Sequence, residues 1–362
     1  MGHVNVTDLI KPHLRNIQTF SPVDPPEILA KQSGIPQEKL IKLNGNENPY
    51  GCSPTVAEAI SKVSVHLYPD PLLRRVRNTL GKYTGIDPDY IIAGAGSDEL
   101  IDLILRLFVS PGEHIIDSDP TFAMYAFLTR VSGSNIVMVP RDEVFDLDVT
   151  AIKKAINSNT KIIFITSPNN PTGNMASHSQ VKEILGTGRI VVVDEAYYEF
   201  SKQTVVDLIH DYENLVVLRT MSKWAGLAGL RIGYGIMNPR LVKHIIDIKQ
   251  PYNISTAAEA ALIASIGDAP ALLANVQRLV LERQKMFSLL KSIHGVTPYP
   301  SEGNYILCQF APGRALKIYD ALARRGIFVR NFGSERLRDF FRISVGMPHE
   351  TDAIIEALKE LV

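Results

Sequence analysis

Cysteine is scarce in this 362-residue sequence, with only Cys52 and Cys308 far apart in the chain. So few thiols argue against a disulfide framework and indicate a reducing compartment, so we expect a cytoplasmic protein. No run of residues approaches the ~20 apolar residues that a transmembrane helix needs, and residues 1–20 lack the apolar core of a secretory signal. We therefore expect no association with a membrane.

An excess of charge of one sign is also missing. Lysine and arginine together number 38, as do aspartate and glutamate, and no block of like charge occurs. Balanced charge gives no electrostatic basis for binding a polyanion, so we expect no nucleic-acid partner. The nine histidines show no spacing typical of metal ligands, so we also expect no metal. The length and the 45% hydrophobic content suit a large α/β domain with a smaller second domain.

Short apolar, β-branched runs recur through the first two thirds of the chain, with amphipathic segments such as Asp98–Phe108 and Val149–Ile156 between them. Runs that are apolar almost throughout predict strands covered by helices on both faces. The alternation of strand and helix predicts a largely parallel, doubly wound sheet. The predicted strands are Tyr90–Ala93, His114–Asp117, Asn135–Val139, Lys161–Thr166, Arg189–Asp194, Asn214–Leu218 and Ile232–Ile236.

After about residue 255 the helices become longer and the strands shorter. This change predicts a large domain over residues 46–265 and a small α/β domain over residues 266–362. The proline-rich residues 1–45 are predicted to form an N-terminal arm that joins neither sheet and is grouped with the small domain. In the last third we predict helices at Thr256–Ser265, Ala269–Ile293, Ala315–Arg324 and His349–Leu361, and strands at Asn304–Phe310, Gly326–Arg330 and Phe341–Val345.

The segment from Thr220 to Arg231 carries the most informative motif. Lys223 follows a buried strand and lies beside the hydroxyls of Thr220 and Ser222, a setting that suits an imine with a carbonyl cofactor. The two hydroxyls and Arg231 are donors for a phosphate ester. A lone lysine at a strand end is typical of a solvated surface, but the complete string favours the chemical interpretation.

Two further motifs also follow predicted strands. Asp194 ends an apolar strand, where a buried carboxylate needs a partner such as a protonated pyridine nitrogen, and Tyr197 lies three residues later. The phosphate-binding loop that an acidic strand end of a nucleotide hydrolase would need is absent.

Asn170, in a Ser-Pro-Asn-Asn-Pro-Thr-Gly segment, precedes Pro171, which favours an extended backbone that aims the amide outward. On its own, this motif is typical of an ordinary loop, so it indicates a site only together with the other two motifs.

The segment Ile91–Leu100 predicts a strand that enters a helix through a glycine-containing turn. Free amides at the start of that helix can bind a phosphate. Capping of the helix by Ser97 or Asp98 is the structural alternative, and both uses can coexist. A dinucleotide fingerprint would need glycine at position 99, where Glu99 stands, so Rossmann-type nicotinamide binding is disfavoured.

The order and spacing of these four motifs resemble fold type I of the pyridoxal-phosphate (PLP) enzymes, the aspartate-aminotransferase fold. More narrowly, the chain resembles the histidinol-phosphate aminotransferases over roughly residues 40–362. The resemblance implies an α/β fold with a mostly parallel seven-stranded sheet between helices, a small α/β C-terminal domain and an N-terminal arm. The further segments that carry it are Leu43–Gly51, Tyr68–Pro71, Pro120–Phe122, Val329–Phe332 and Phe341–Gly346.

The resemblance also implies roles for individual residues. Lys223 would hold PLP as a Schiff base and shuttle the α-proton of the substrate. Asp194 would pair with the pyridine nitrogen, while Asn170 and Tyr197 would hold the phenolic oxygen. Phe122 would stack on the ring, where the family commonly has tyrosine. The implied contacts to the cofactor phosphate are Ser97, Asp98, Thr220, Ser222, Arg231 and, from the other subunit of a homodimer, Tyr68.

On the substrate side, the resemblance implies that Arg342 binds an acidic group and that Arg330 binds the phosphate of histidinol phosphate. Asn48, within the N-terminal signature, is expected to contact the substrate. Phe20 lies where the arm of the family often has a tyrosine that binds the substrate phosphate, so that hydrogen bond would be missing here.

The activity implied is transfer of an amino group from L-histidinol phosphate to 2-oxoglutarate in histidine biosynthesis, giving imidazole acetol phosphate and glutamate. An aromatic amino acid aminotransferase and a threonine-phosphate decarboxylase-like enzyme are the alternatives with the same cofactor. A non-catalytic binding module is a further alternative, disfavoured because Lys223, Asp194, Asn170 and Arg231 are all retained.

Overall fold

The structure, a computed structural model, describes residues 5–362. Within these residues, seven strands form one sheet, called here the large sheet, and five form a second, called here the small sheet. The strands are β1 (Ile41–Leu43), β2 (Ile91–Gly94), β3 (His114–Asp119), β4 (Asn135–Pro140), β5 (Thr160–Thr166), β6 (Ile190–Asp194), β7 (Leu215–Thr220), β8 (Gly233–Met237), β9 (Val296–Pro298), β10 (Tyr305–Phe310), β11 (Ile327–Asn331) and β12 (Phe340–Ser344).

Helices lie between most of these strands. Several begin at a side-chain cap, such as α7, where Ser177 accepts a hydrogen bond from the backbone of Gln180. The α-helices are α1 (Pro26–Ser33), α2 (Pro54–Ser61), α3 (Arg74–Thr84), α4 (Ser97–Phe108), α5 (Met124–Ser132), α6 (Val149–Ala155), α7 (His178–Leu185), α8 (Tyr198–Ser201), α9 (Pro239–Ile248), α10 (Thr256–Gly267), α11 (Ala269–Lys291), α12 (Ala315–Arg324) and α13 (Pro348–Leu361). Short 3-10 helices occur at Val6–Leu9, Pro12–Leu14, Gln37–Lys39, Pro88–Tyr90, Val206–His210, Ala228–Leu230 and Glu335–Leu337.

The large sheet has the strand order β2-β8-β7-β6-β5-β3-β4. β8 runs antiparallel to both β2 and β7, and the other neighbouring pairs are parallel. Except for Ile190 at the start of β6, the apolar side chains of β5, β6 and β7 are buried because helices cover both faces of the sheet. The predicted fold class is therefore confirmed, and each predicted strand and helix occurs with ends that differ by one or two residues.

Parallel pairing brings polar residues together at one edge of the large sheet. In the register of β5 and β6, Thr166 lies opposite Asp194, and Asp194 lies opposite Leu218 of β7. Two residues beyond Leu218, Thr220 ends β7. Because the carboxyl ends of parallel strands meet at the same edge, the segments that follow these strands converge there.

The small sheet has the order β1-β11-β12-β10-β9. β1 pairs in parallel with β11, with Ile41 opposite Ile327. The expectation that the N-terminal arm joins neither sheet is therefore wrong for Ile41–Leu43, because β11 supplies the hydrogen bonds that such a short segment cannot provide alone. The domain boundaries proposed at residues 45 and 265 stay predictions.

Across residues 5–362, no single helix is both long and apolar enough to cross a membrane. Helices α10 and α11 meet that length and hydropathy only when joined, and their axes are bent by 79° at the break. Ala261, Leu262 and Met286 of these two helices are fully buried in the protein core.

Candidate active site

A cavity of about 320 Å³ lies where the carboxyl edge of the large sheet faces the small sheet. Segments after β5, β6 and β7 form one wall, and residues of β11, β12 and the stretch after β1 form another. The predicted site residues that line it are Phe20, Ser97, Asp98, Phe122, Asn170, Asp194, Tyr197, Thr220, Ser222, Lys223, Arg231, Arg330 and Arg342.

Lys223 is half-buried in the wall of this cavity, three residues after β7 ends. Its Nζ donates a hydrogen bond to the carbonyl oxygen of Gly45 at 3.1 Å. Desolvation, followed by the positive charge of Arg342, lowers the pKa of Lys223 to about 8. A larger share of the amine is therefore neutral and nucleophilic near pH 7 than for a lysine in water.

Asp194 is buried at the end of β6 with both oxygens hydrogen-bonded. The hydroxyl of Tyr125 donates to its Oδ2 at 2.7 Å, and the backbone N–H of Ala196 donates to its Oδ1 at 3.0 Å. Burial raises the pKa of Asp194 to about 6, and the two donors oppose that rise. The carboxylate is thus held ready for a cationic partner at the cavity wall.

Asn170 and Tyr197 have their accepting atoms engaged and their donors available. Oδ1 of Asn170 accepts from Nη1 of Arg342 at 2.6 Å, and the Tyr197 hydroxyl accepts from Nδ2 of Asn46 at 2.9 Å. The amide N–H groups of Asn170 and the hydroxyl proton of Tyr197 therefore remain to donate. Two such donors suit an anionic oxygen on a ligand.

The turn before α4 has the geometry of an anion site. Gly96 precedes the helix with φ of 80°, and no side chain caps the helix start, so the first amides of the helix are left to a ligand. A Cβ at Gly96 would collide with the guanidinium of Arg231. A Cβ at Gly233 would come within 2.6 Å of the Ser97 nitrogen. Gly96 is thus favoured by its positive φ, and Gly233 is needed for the close packing of backbone against backbone at this turn.

Side-chain donors surround the same turn. Thr220 Oγ1 donates to Ser222 Oγ at 3.0 Å, which leaves the hydroxyl proton of Ser222 to donate to a ligand. Nη2 of Arg231 pairs with Oδ2 of Asp98 at 2.8 Å, and the Arg231 side chain is 50% exposed, so its other nitrogens remain accessible. One cation, one hydroxyl and free helix amides therefore meet at one end of the cavity.

At the other end of the cavity lie the two predicted substrate arginines. Arg342 is buried, and its Nη2 donates to the carbonyl oxygen of Asn44 at 2.7 Å. Nη2 of Arg330 donates to the carbonyl oxygen of Ser21 in the arm, also at 2.7 Å. Phe20 lines the cavity beside them. This end combines two cations with an apolar ring.

Two predicted residues do not line the cavity. The amide of Asn48 donates to the carbonyl oxygen of Trp224 at 2.9 Å and accepts from the backbone of Tyr50 at 3.0 Å, so its polar atoms are used within the fold. Asn46, two residues earlier, lines the cavity instead, and the substrate contact expected of Asn48 stays a prediction. Tyr68 is 81% exposed on the protein surface.

Sequence reasoning missed two residues that contact the predicted ones. Asn46, with φ of 51°, links Tyr197 to Ser344, and Tyr125 contacts Asp194. Asparagine tolerates a positive φ, but that conformation is not marked in the sequence. Tyr125 is the second residue of α5, where nothing in the local sequence distinguishes it from a tyrosine that only packs in the core.

Comparisons with known proteins show the family to which the chain belongs. Residues 38–358 match the family described as aminotransferase class I and II. The histidinol-phosphate aminotransferase of Roseiflexus castenholzii is 44% identical over 99% of both chains. The chloroplastic histidinol-phosphate aminotransferase 1 of Arabidopsis thaliana is 43% identical over 97% of this chain and 85% of its own. The crystal structure of histidinol-phosphate aminotransferase from Sinorhizobium meliloti in complex with pyridoxal-5'-phosphate has a TM-score of 0.88 at 26% identity, with 97% of both chains covered.

The fold and the family match define the chain as a class I and II aminotransferase with the fold type I architecture of PLP-dependent enzymes. Within that class, it belongs to the histidinol-phosphate aminotransferase family. The family resemblance inferred from the sequence motifs is confirmed. The roles of the individual site residues stay predictions.

Proposed function

We propose that the cavity holds PLP, bonded covalently to Lys223, and that it transfers the amino group of L-histidinol phosphate to 2-oxoglutarate. The observation that carries this proposal is the position of the Lys223 amine. This amine has a pKa lowered to about 8 and shares one cavity with the Asp194 carboxylate and two arginines. The named relatives support the choice of amino donor.

The donor set of the cavity fits PLP group by group. Free amides before α4, the Ser222 hydroxyl and Arg231 would hold the phosphate. Asp194 would face the pyridine nitrogen. The available protons of Asn170 and Tyr197 would point to the phenolate oxygen. Phe122 lines the same cavity, where its ring can stack on the cofactor.

When bound, PLP supplies an electron sink that makes the α-proton of the substrate acidic. The protein residues control that proton and the charge around it. Lys223, as a free amine, would remove the α-proton of the substrate and deliver it to the cofactor carbon that takes up the amino group. Asp194 would keep the pyridine nitrogen protonated and so positively charged, and Asn170 and Tyr197 would stabilise negative charge on the phenolic oxygen.

Two substrates bind in turn, and both carry acidic groups. A guanidinium can pair with either a phosphate or a carboxylate, so Arg330 and Arg342 can serve both half-reactions. We propose that Arg330 contacts the phosphate of the amino donor and that Arg342 contacts the carboxylate of 2-oxoglutarate. The burial of Arg342 and its two oriented hydrogen bonds favour a rigid, shape-specific contact.

An aromatic amino acid as donor is a second candidate, because the rings of Phe20, Phe122 and Phe332 all line the cavity.

The test is a single-turnover experiment on cofactor-loaded protein, in which the cofactor absorbance is followed after mixing with one donor. Histidinol phosphate is expected to convert the cofactor at a lower concentration and faster than phenylalanine or tyrosine. Faster conversion by an aromatic amino acid would overturn the proposed donor. Release of carbon dioxide from threonine phosphate would support the decarboxylase alternative.

We also propose that the chain acts as a homodimer with shared active sites. The rings of Tyr68 and Tyr252 stack at 4.3 Å with an interplanar angle of 19°, although Tyr68 is 81% and Tyr252 46% exposed. Val65 and Leu67 beside them are 81% and 60% exposed. Ordered aromatic and aliphatic surface of this kind favours burial against a second copy. In that arrangement, Tyr68 would reach the cofactor phosphate of the other subunit.

A reducing, cytoplasmic location remains part of the proposal. Cys52 is exposed and Cys308 is buried, and both are free thiols. An exposed thiol without a disulfide partner is compatible with that compartment.

A further inference from the structure

The hydroxyl of Tyr125 occupies a central position behind the cavity. It donates to Asp194 Oδ2 at 2.7 Å and lies 2.9 Å from Oγ1 of Thr166. Tyr125 and Thr166 are both buried, and the Tyr125 ring stacks on that of Phe164 at 4.6 Å with an interplanar angle of 12°. Stacking fixes the ring, so the hydroxyl meets the carboxylate in one orientation.

The hydrogen bonds continue from Thr166 toward two other parts of the cavity wall. Thr121 Oγ1 lies 3.0 Å from Thr166 Oγ1 and donates to Oδ1 of Asn169 at 2.8 Å. Asn169 is fully buried, and its Nδ2 donates to the carbonyl oxygen of Pro120 at 2.9 Å. Thr121 is the neighbour of Phe122, and Asn169 is the neighbour of Asn170. One chain of hydrogen bonds therefore connects Asp194 with the backbone segments of Phe122 and Asn170, which are three of the four residues proposed to contact the ring.

We propose that Tyr125 is the positioning residue for Asp194: its hydroxyl holds the carboxylate ionised and oriented, and its contact to Thr166 ties that carboxylate to the segments of Phe122 and Asn170. The value of this arrangement for catalysis rests on the proposed role of Asp194 toward PLP. Tyr125 itself lies outside the residues that line the cavity, so it acts through Asp194.

The charges around Asp194 show why such a donor is needed. Burial is the main influence that raises its pKa, and the carboxylates of Asp98 on α4 and Glu195 on its own segment act in the same direction. The Tyr125 hydroxyl from α5 and the Ala196 amide oppose them. Burial and the Asp194 charge raise the pKa of Tyr125 well above its usual value, so this hydroxyl keeps its proton and donates it.

The hydroxyl should matter more to the ionised carboxylate than to the protonated one, because a hydrogen bond to a charged group is roughly twice as strong as a neutral one. The test compares Y125F with Y299F in cofactor-free protein by urea unfolding at pH 5 and pH 8. Tyr299 is a suitable control, since its half-buried hydroxyl donates to the uncharged Gln309 Oε1 at 3.1 Å and lies outside the cavity. T166V serves as a second variant if Y125F does not fold.

The unfolding constant of Y125F is expected to exceed that of the unaltered chain by about tenfold at pH 8 and by much less at pH 5. Titration with PLP is expected to give a dissociation constant about tenfold higher, and kcat should fall while KM for the amino donor changes little. T166V should shift the same quantities in the same direction by a smaller factor. Y299F should show no such dependence on pH, because its partner Gln309 carries no charge, and should bind PLP normally.

A loss of folding stability in Y125F that is equal at pH 5 and pH 8, or a PLP affinity equal to that of Y299F, would overturn the proposal. The variant D194N separates this outcome from failure of the proposed function. If D194N binds PLP as tightly as the unaltered chain, the role of Asp194 toward the cofactor is wrong. The pH-dependent effect of Y125F should vanish in the Y125F/D194N double variant, and its persistence there would refute the contact as the cause.

Discussion

Asn170 and Arg342 are joined by a hydrogen bond of 2.6 Å from Nη1 of Arg342 to Oδ1 of Asn170. Asn170 follows β5 of the large sheet, whereas Arg342 lies in β12 of the small sheet. The contact therefore crosses the cavity and connects the proposed cofactor side with the proposed substrate side. Nη2 of the same guanidinium binds the carbonyl oxygen of Asn44, so the fork of Arg342 is held at two points.

R342K is expected to lose the simultaneous hydrogen bonds to Asn170 and Asn44, because an ammonium group cannot reproduce the planar geometry of the guanidinium. We expect kcat/KM for 2-oxoglutarate to fall by about 100-fold, which corresponds to ~3 kcal/mol of transition-state stabilisation. The measurement is single-turnover kinetics of each half-reaction. R330K is the control, and it should weaken the histidinol phosphate half-reaction more than the 2-oxoglutarate one. Equal effects of both variants on both half-reactions would contradict the proposed division of roles.

The amine of Lys223 is expected to control how fast PLP attaches to the cofactor-free protein. The neutral amine is the reactive form, and its pKa is lowered to about 8. The rate constant should therefore rise about tenfold per pH unit well below pH 8 and reach a plateau above it. Stopped-flow absorbance after mixing with PLP measures this profile. A rate that keeps rising toward pH 10 would show an ordinary, solvated lysine, and K223A should show no covalent attachment.

Much of the fold and part of the site follow from the sequence because the chemistry lies at the ends of apolar strands. Val191–Val193 is apolar on both faces, which predicts a central strand, and Asp194 then stands out as a carboxylate with no local partner. Lys223 and Asn170 follow strands in the same way. Parallel pairing brings these ends together, so their proximity can be inferred before any contact is known.

The remaining site residues depend on contacts that no local pattern reveals. Tyr125 reaches Asp194 across 69 positions of sequence, and Asn46 reaches Tyr197 across 151. Asn46 and Asn48 lie in one asparagine-rich segment, and nothing in the sequence marks Asn46, which has a positive φ, as the amide that lines the cavity. The strand Ile41–Leu43 was missed because three residues carry too little periodicity to predict a strand.

A buried charge cluster beside the site gives a prediction on stability. Arg219 pairs with Glu195 Oε2 at 2.9 Å, and Glu199 is buried close by with Tyr83 as a donor. Burial raises the pKa of Glu199 to about 8, so at neutral pH it is protonated and the cluster has no net charge. The folded state then binds a proton that the unfolded state releases above about pH 4.5.

Because of this proton, Glu199 makes the folded state less stable as the pH rises from about 4.5 to about 8. The E199Q variant removes this titration. The difference in free energy of unfolding between E199Q and the unaltered chain should therefore shift in favour of E199Q as the pH rises over this range, by at most about 1.4 kcal/mol per pH unit. Urea unfolding at several pH values measures the difference. A difference that is independent of pH would contradict the raised pKa. The contrasting variant E195Q breaks the ion pair and should destabilise by about 3–5 kcal/mol at all these pH values.

Mixed dimers test whether two subunits build one site. The Tyr68 side chain is exposed beside Tyr252, away from its own cavity, so in the proposed dimer it would serve the neighbouring copy, whereas Lys223 would serve its own cavity. If Y68A and K223A subunits are unfolded together and refolded as a mixture, a heterodimer contains one site with both defects and one intact site. Activity should therefore reappear in the mixture, up to about a quarter of the normal value for random pairing at equal amounts. The control is the same mixture assembled without subunit exchange, which should remain as inactive as its components. A mixture no more active than the better of its two components would mean that Tyr68 acts within its own subunit or not at all.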